Sequence, residues 1–136
     1  MSLKLGPAGV PLSCKGRTIV EGMDDITALG LEAMEIQTVR TVQPQHFDQY
    51  WQAGVLSHKT DIEMNLHGPY YAELLGDKRL RSRSFSKMEA AIHAAKFINA
   101  RHLTFPVGPY MEYSRRPAAN ERVAYVMAVV VERVGD

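Results

Sequence analysis

The feature that most constrains the fold is a repeated exit signal. Short apolar runs stop at Gly6-Pro7, Gly68-Pro69 and Gly108-Pro109. Proline removes a backbone donor and glycine admits dihedrals that other residues avoid, so each pair ends a strand in a sharp turn. Between these exits lie segments whose apolar residues recur at helical spacing. Strand followed by helix, repeated along the chain, implies βαβ units and a mainly parallel sheet.

Four such units are expected. The first pairs a short strand at 3–5 with a helix over about 19–29, where Ile19, Met23, Ile26 and Gly30 share a face and Gly30 caps the end. A strand at 33–39 leads to a helix over 44–58, opened by Pro44 and carrying Phe47, Tyr50, Trp51 and Val55, with Gly54 as an interior weak point. A third strand at 62–66 precedes a helix at 86–100. There Ser86 and Glu89 form a capping box and Met88, Ala91, Ile92, Ala95 and Ile98 line one side. A fourth strand at 102–107 leads to a closing helix at 120–134, striped by Val123, Val126, Met127, Val130 and Val134, although its valines also suit a strand. Residues 1–136 read as a single domain. Four units make either an open doubly wound sheet or a (βα)4 half of a TIM (β/α)8 barrel, which in full needs about 250 residues.

Composition narrows the class of partner. With 46% hydrophobic residues and a formal net charge of +1, no global field draws the chain to nucleic acid or an anionic membrane, so any such site is local. Cys14 is the lone cysteine, so no intrachain disulfide forms. The N-terminal residues lack the apolar run of a signal peptide, and nothing approaches membrane-spanning length. A cytoplasmic protein is expected.

The candidate site is the cluster of strand ends, because loops after parallel strands gather on one face. His67 ends the third strand. Its imidazole there suits metal ligation, acid–base work, or a plain hydrogen bond to the loop. Glu35, on the adjacent strand, would ligate the same metal, orient His67, or simply face solvent. Tyr70, Tyr71, Tyr110 and Tyr113 give the face an aromatic rim suited to stacking on bases or sugars, or to packing. The basic run Lys78, Arg79, Arg81, Arg83 and Lys87, with Arg115-Arg116, either contacts phosphates or forms a solvated surface. His46, His58, His93 and His102 form no metal-ligand spacing, and His93 lies off the apolar face of its helix. No Gly-rich phosphate loop, nucleophile elbow or Cys pair is present.

In combination, "KLGPAGVPLSCKGR" (4–17), "GLEAMEIQTVR" (30–40) and "HGPYY" (67–71) resemble the endonuclease IV family of the xylose isomerase-like barrels. The likeness runs over nearly the whole chain but covers only the N-terminal half of a family member. It implies a zinc-dependent phosphodiesterase acting on abasic DNA, with His67 matching a zinc ligand and Tyr70 matching a DNA contact. Glu35 joins His67 as an expected metal ligand, and Arg40, Arg79, Arg81 and Arg83 join Tyr70 as expected DNA contacts. The family's next ligand, a histidine after the fourth strand, is replaced here by Pro106 in Phe105-Pro106-Val107-Gly108. The remaining ligands belong to strands that this sequence does not contain.

The resemblance therefore implies an endonuclease IV-like protein with an incomplete site for zinc or another divalent metal, and reduced or absent nuclease activity. The alternatives are a sugar isomerase or epimerase of the same superfamily, or a non-catalytic DNA-binding or structural half barrel. A half barrel leaves sheet edges and its inner face open, so a homodimer or higher homo-oligomer is expected to cover them. Tyr125 and Val129, which lie off the stripe of the last helix, broaden its apolar surface in the same sense.

Overall fold

Thr18 and Glu21 open the first helix, and local chemistry of this kind sets most of the element boundaries. In the computed structural model, residues 3–110 and 116–134 are described. Helix α1 spans Ile19–Ala28, strand β1 Ala33–Gln37, helix α2 Phe47–Thr60 after one 3-10 turn at Pro44–His46, strand β2 Glu63–His67, helix α3 Lys78–Phe97, strand β3 Ala100–Thr104 and helix α4 Arg116–Val134. The strands are parallel in the order β1-β2-β3.

Thr18 caps α1 by accepting the Glu21 backbone N–H while the Glu21 carboxylate accepts from the Thr18 backbone, a reciprocal capping box. The helix ends as expected. Gly30 takes φ +71°, Leu31 N–H donates to the Ile26 carbonyl and Gly30 N–H to the Thr27 carbonyl, which is a Schellman closure. Helix α2 instead turns out through Asp61 at φ 56°, a left-handed conformation that glycine would adopt with less strain. Gly54 lies where α2 crosses α3, and a Cβ there would collide with the Phe97 carbonyl. The glycine that weakens α2 as an isolated helix is what lets the two backbones touch.

Several boundaries differ from the sequence expectation, α4 for one opening four residues early at Arg116, and two of the differences have a clear local cause. The Ser86–Glu89 capping box does not form: α3 begins eight residues earlier, capped by Asp77, whose carboxylate accepts the Leu80 N–H at 2.9 Å. The basic residues are good helix formers, and Ser86 sits inside the helix with its hydroxyl turned to the Ser82 carbonyl. The expected strand at 102–107 runs instead over Ala100–Thr104, because Pro106 has no N–H to continue a ladder.

The expected first strand is not a regular strand. The segment from Leu5 to Gly9 runs along the outer edge of β1, with Glu32 N–H donating to Leu5 O, Glu35 N–H to Pro7 O and Gly9 N–H to Glu35 O. A Cβ at Gly6 would overlap the Ala33 carbonyl, and Pro7 contributes no donor, so the segment hugs β1 closely without extending into a full ladder.

The main core lies between the sheet and the helices. Met34, Ile36, Met64 and Leu66 point from the strands into Met23, Ile26, Ala53, Ala91, Ala94 and Ile98. A second cluster joins Leu74 and Met88 to Val126 and Val130 of α4, with Val123 and Met127 packed at its margin. The valine-rich closing segment is thus a helix. Tyr125 stays exposed beneath the Arg122 guanidinium, Val131 is exposed, and the side chain of Val134 lies outside the described set.

Candidate functional site at the strand ends

The face of the sheet turned away from the helices is polar. Strand alternation places Glu35 and Gln37 of β1, Glu63, Asn65 and His67 of β2, and His102 and Thr104 of β3 on that side. The register lines them up in two rows, Glu35–Asn65–His102 and, nearer the strand ends, Gln37–His67–Thr104. A bulge makes the rows match across β3: the pairing jumps from Met64–Ala100 to Asn65–His102, leaving Arg101 as the extra residue. Arg101 Nη1 then lies 3.3 Å from Glu63 Oε2.

Both histidines on this face are oriented. His67 Nδ1 lies 2.9 Å from the Gly68 carbonyl. A carbonyl only accepts, so Nδ1 carries a proton, and in the neutral ring the lone pair is then on Nε2. Asn65 Oδ1 accepts the His102 backbone N–H at 3.1 Å and lies 3.1 Å from His102 Nδ1, which puts the His102 proton on Nδ1 in the same way. The His67 backbone is also tied down, since its carbonyl accepts both the Thr38 N–H and the buried Thr38 hydroxyl.

The loop after β2 carries Tyr70 back over the strand end. The Tyr70 N–H bonds the Val39 carbonyl at 3.1 Å, and its ring stacks on His67 with centroids 4.7 Å apart and planes at 30°. Gly68 must lack a side chain here because a Cβ would strike the Phe105 ring. Tyr71 and Tyr110 are exposed at the same rim, and Lys87 Nζ donates to the Tyr71 carbonyl with its charge 5.8 Å from the Tyr71 ring. Tyr113 and Arg115 lie outside the described residues.

Of the expected metal ligands, Glu35 and His67 share the polar face but not a level. Gln37 is the residue beside His67, and Glu35 lies two residues lower, about 7 Å along the strand. Pro106 follows β3 half-buried and offers no donor. Among the described residues no group of three or more His, Cys, Asp or Glu side chains comes together to hold a metal ion. Zinc sites use three or four protein ligands, more than the described strand-end residues bring together.

Arg40 is exposed just beyond β1. Arg79, Arg81 and Arg83 are on the first turns of α3, so the basic run is helical. Arg79 and Arg83 are exposed four residues apart on one face, and Arg81 donates to the Gly76 carbonyl. Sequence reading missed Gln37, Asn65 and His102. Their signal was polar residues at every second position in strands of a parallel sheet, where both faces are ordinarily apolar.

No protein-family profile matches the chain, and no curated protein sequence matches it. Solved structures do. Endonuclease IV from Thermus thermophilus superposes with a TM-score of 0.64 at 20% identity, over 95% of this chain and 47% of that one. Protein SMc04130 from Sinorhizobium meliloti 1021 gives a TM-score of 0.60 at 18% identity, covering 86% of this chain and 42% of that one. A D-tagatose 3-epimerase-like protein gives 0.62 at 15% identity, over 96% and 48%. The chain spans about half the length of these structures. It has the fold of about half of a (β/α)8 TIM barrel.

Proposed function

We propose that the protein is an endonuclease IV-like half barrel that receives the sugar-phosphate backbone of DNA at its strand ends and does not hydrolyse it alone. The observation that carries this reading is the His67–Tyr70 stack at the end of β2, with the lone pair of the neutral His67 ring on Nε2. The aromatic ring suits stacking on an unpaired base or deoxyribose, while Arg40, Arg79 and Arg83 supply cations for phosphates. His67 is one ligand of an incomplete divalent-metal site, to which Glu35 belongs only if the strand ends rearrange. A second copy of the chain covers the polar face and the outer edge of β3, which pairs with no strand among the described residues.

The test is a duplex with a single abasic site, titrated at two salt concentrations with metal content measured in parallel. Binding that weakens with salt, falls several-fold in Tyr70→Ala, and is not followed by cleavage is the expected result. Cleavage by the purified chain that is lost in His67→Ala overturns the non-hydrolytic reading. Absence of salt-dependent binding overturns the DNA reading. Light scattering that gives a stable monomer removes the second copy.

One observation favours a sugar isomerase or epimerase instead. Gln37, Asn65 and His102 present amides and an imidazole to the open face, chemistry suited to hydroxyl groups. Divalent-metal-dependent turnover of a keto or aldo sugar separates that reading from the first.

A further inference from the structure

A cavity of about 460 Å3 opens beside the end of β1, between the segment leading into α1 and the start of α2. Its floor is apolar: Met34 and Ile36 reach it from the helix-facing side of β1, and Ile19 from α1, all three buried. Its rim is cationic. Arg17 and Arg40 are exposed at the opening, and neither side chain has an ion pair or hydrogen-bond partner among the described residues. No carboxylate lines it. Tyr50 closes one wall, and burial holds its phenol above the usual range, so the wall is neutral.

An apolar floor beneath two unpaired guanidiniums selects for a ligand with the same polarity. A volume of this size is ordinary for small-molecule sites. Guanidinium groups match phosphate and carboxylate oxygens in fork geometry, and their attraction is uncancelled where no acidic residue competes. We infer that this cavity binds a small organic anion, its flat apolar body against the accessible Val10 and Val39 above the buried floor, and its phosphate or carboxylate between Arg17 and Arg40. The cavity shares Arg40 and Gln37 with the strand-end face, but its floor lies on the helix-facing side of β1 and neither His67 nor Tyr70 lines it.

Calorimetric titration of the whole chain with naphthyl phosphate and with naphthoate tests this and identifies the preferred anion. Saturable binding of one molecule per chain by either ligand is expected, with inorganic phosphate and neutral naphthalenemethanol each at least tenfold weaker. The double change Arg17→Gln and Arg40→Gln should lower affinity about tenfold or more, a difference of about 1.4 kcal/mol or more. Gln49→Phe, which fills the cavity and leaves both arginines, should also abolish binding, with circular dichroism confirming that both variants are folded. His67→Ala should bind as tightly as the parent. No saturable binding, equal affinity for the neutral compound, no effect of the arginine changes, or loss in His67→Ala would each overturn the assignment.

Discussion

The two faces of one small sheet are built to opposite rules. Toward the helices, Met34, Ile36, Met64 and Leu66 are almost completely buried. On the other side the two rows toward the strand ends are polar throughout, Glu35–Asn65–His102 and Gln37–His67–Thr104. In a complete (β/α)8 barrel the interior is packed with bulky side chains and strands are apolar on both sides. Here only one face behaves as core. Buried core and polar surface are therefore separated by the strand pleat itself, and neighbouring residues in one strand should respond differently to the same substitution.

The sharpest test is a pair of adjacent truncations in β2. Leu66→Ala should cost about 2–5 kcal/mol, because it opens a cavity in a fully buried site. Asn65→Ala should cost about 1 kcal/mol, the worth of its hydrogen bonds to His102. Urea unfolding of the two variants decides it, and equal losses would mean that the polar face is also structural core. Next in size is Gly54→Ala. Helix propensity alone favours it by about 1 kcal/mol, yet the collision with the Phe97 carbonyl should turn the change into a net loss of about 1–3 kcal/mol. A more stable variant would show that α2 and α3 separate without cost.

Asp61→Gly should act in the opposite direction, raising stability by about 1 kcal/mol through relief of the left-handed backbone at the end of α2. The loss of the Lys4–Asp61 ion pair subtracts little, since the Asp61 side chain is almost fully exposed. The smallest effect concerns Glu21. Its hydrogen bonds from Thr18 hold the carboxyl below the ordinary value of 4.5. The folded form thus prefers the carboxylate, and its contribution is present above the unfolded pKa and lost as pH falls through the lower folded pKa. Denaturant midpoints measured on the acid side should drop less steeply in Glu21→Gln than in the parent.

Much of the fold was legible, and the failures have identifiable causes. Ile19, Met23 and Ile26 with a terminal Gly30 announced α1 because periodicity and cap agreed. Strands β1 and β2 were legible from their apolar residues and polar flanks. The capping box of Thr18 and Glu21 and the cap at Asp77 were written in the sequence as Thr-x-x-Glu and as an aspartate before a helix-forming run. Both went unread: the Thr18–Glu21 box was overlooked ahead of the apolar stripe, and the cap at Asp77 precedes a charge cluster that resembles a loop, although arginine and lysine favour helices. The first strand failed for a different reason: its pairing depends on a glycine pressed against Ala33, a contact between segments that no local pattern encodes. The position of His67 at a strand end was legible, whereas the partnership of Asn65 with His102 depends on register, which only the folded sheet sets.

The bulge at Arg101 gives that register an unusual tolerance. Elsewhere in the sheet, removing one residue would turn every later side chain over, sending polar groups into the core. At β3, Ala100 already faces the helices and His102 already faces away, so Arg101 is slack in the chain. A chain shortened by that single residue would retain Leu103 in the core and Thr104 beside His67. This is a place where strand length can drift by one residue between related sequences while the delivery of Phe105 and Pro106 to the mouth is unchanged.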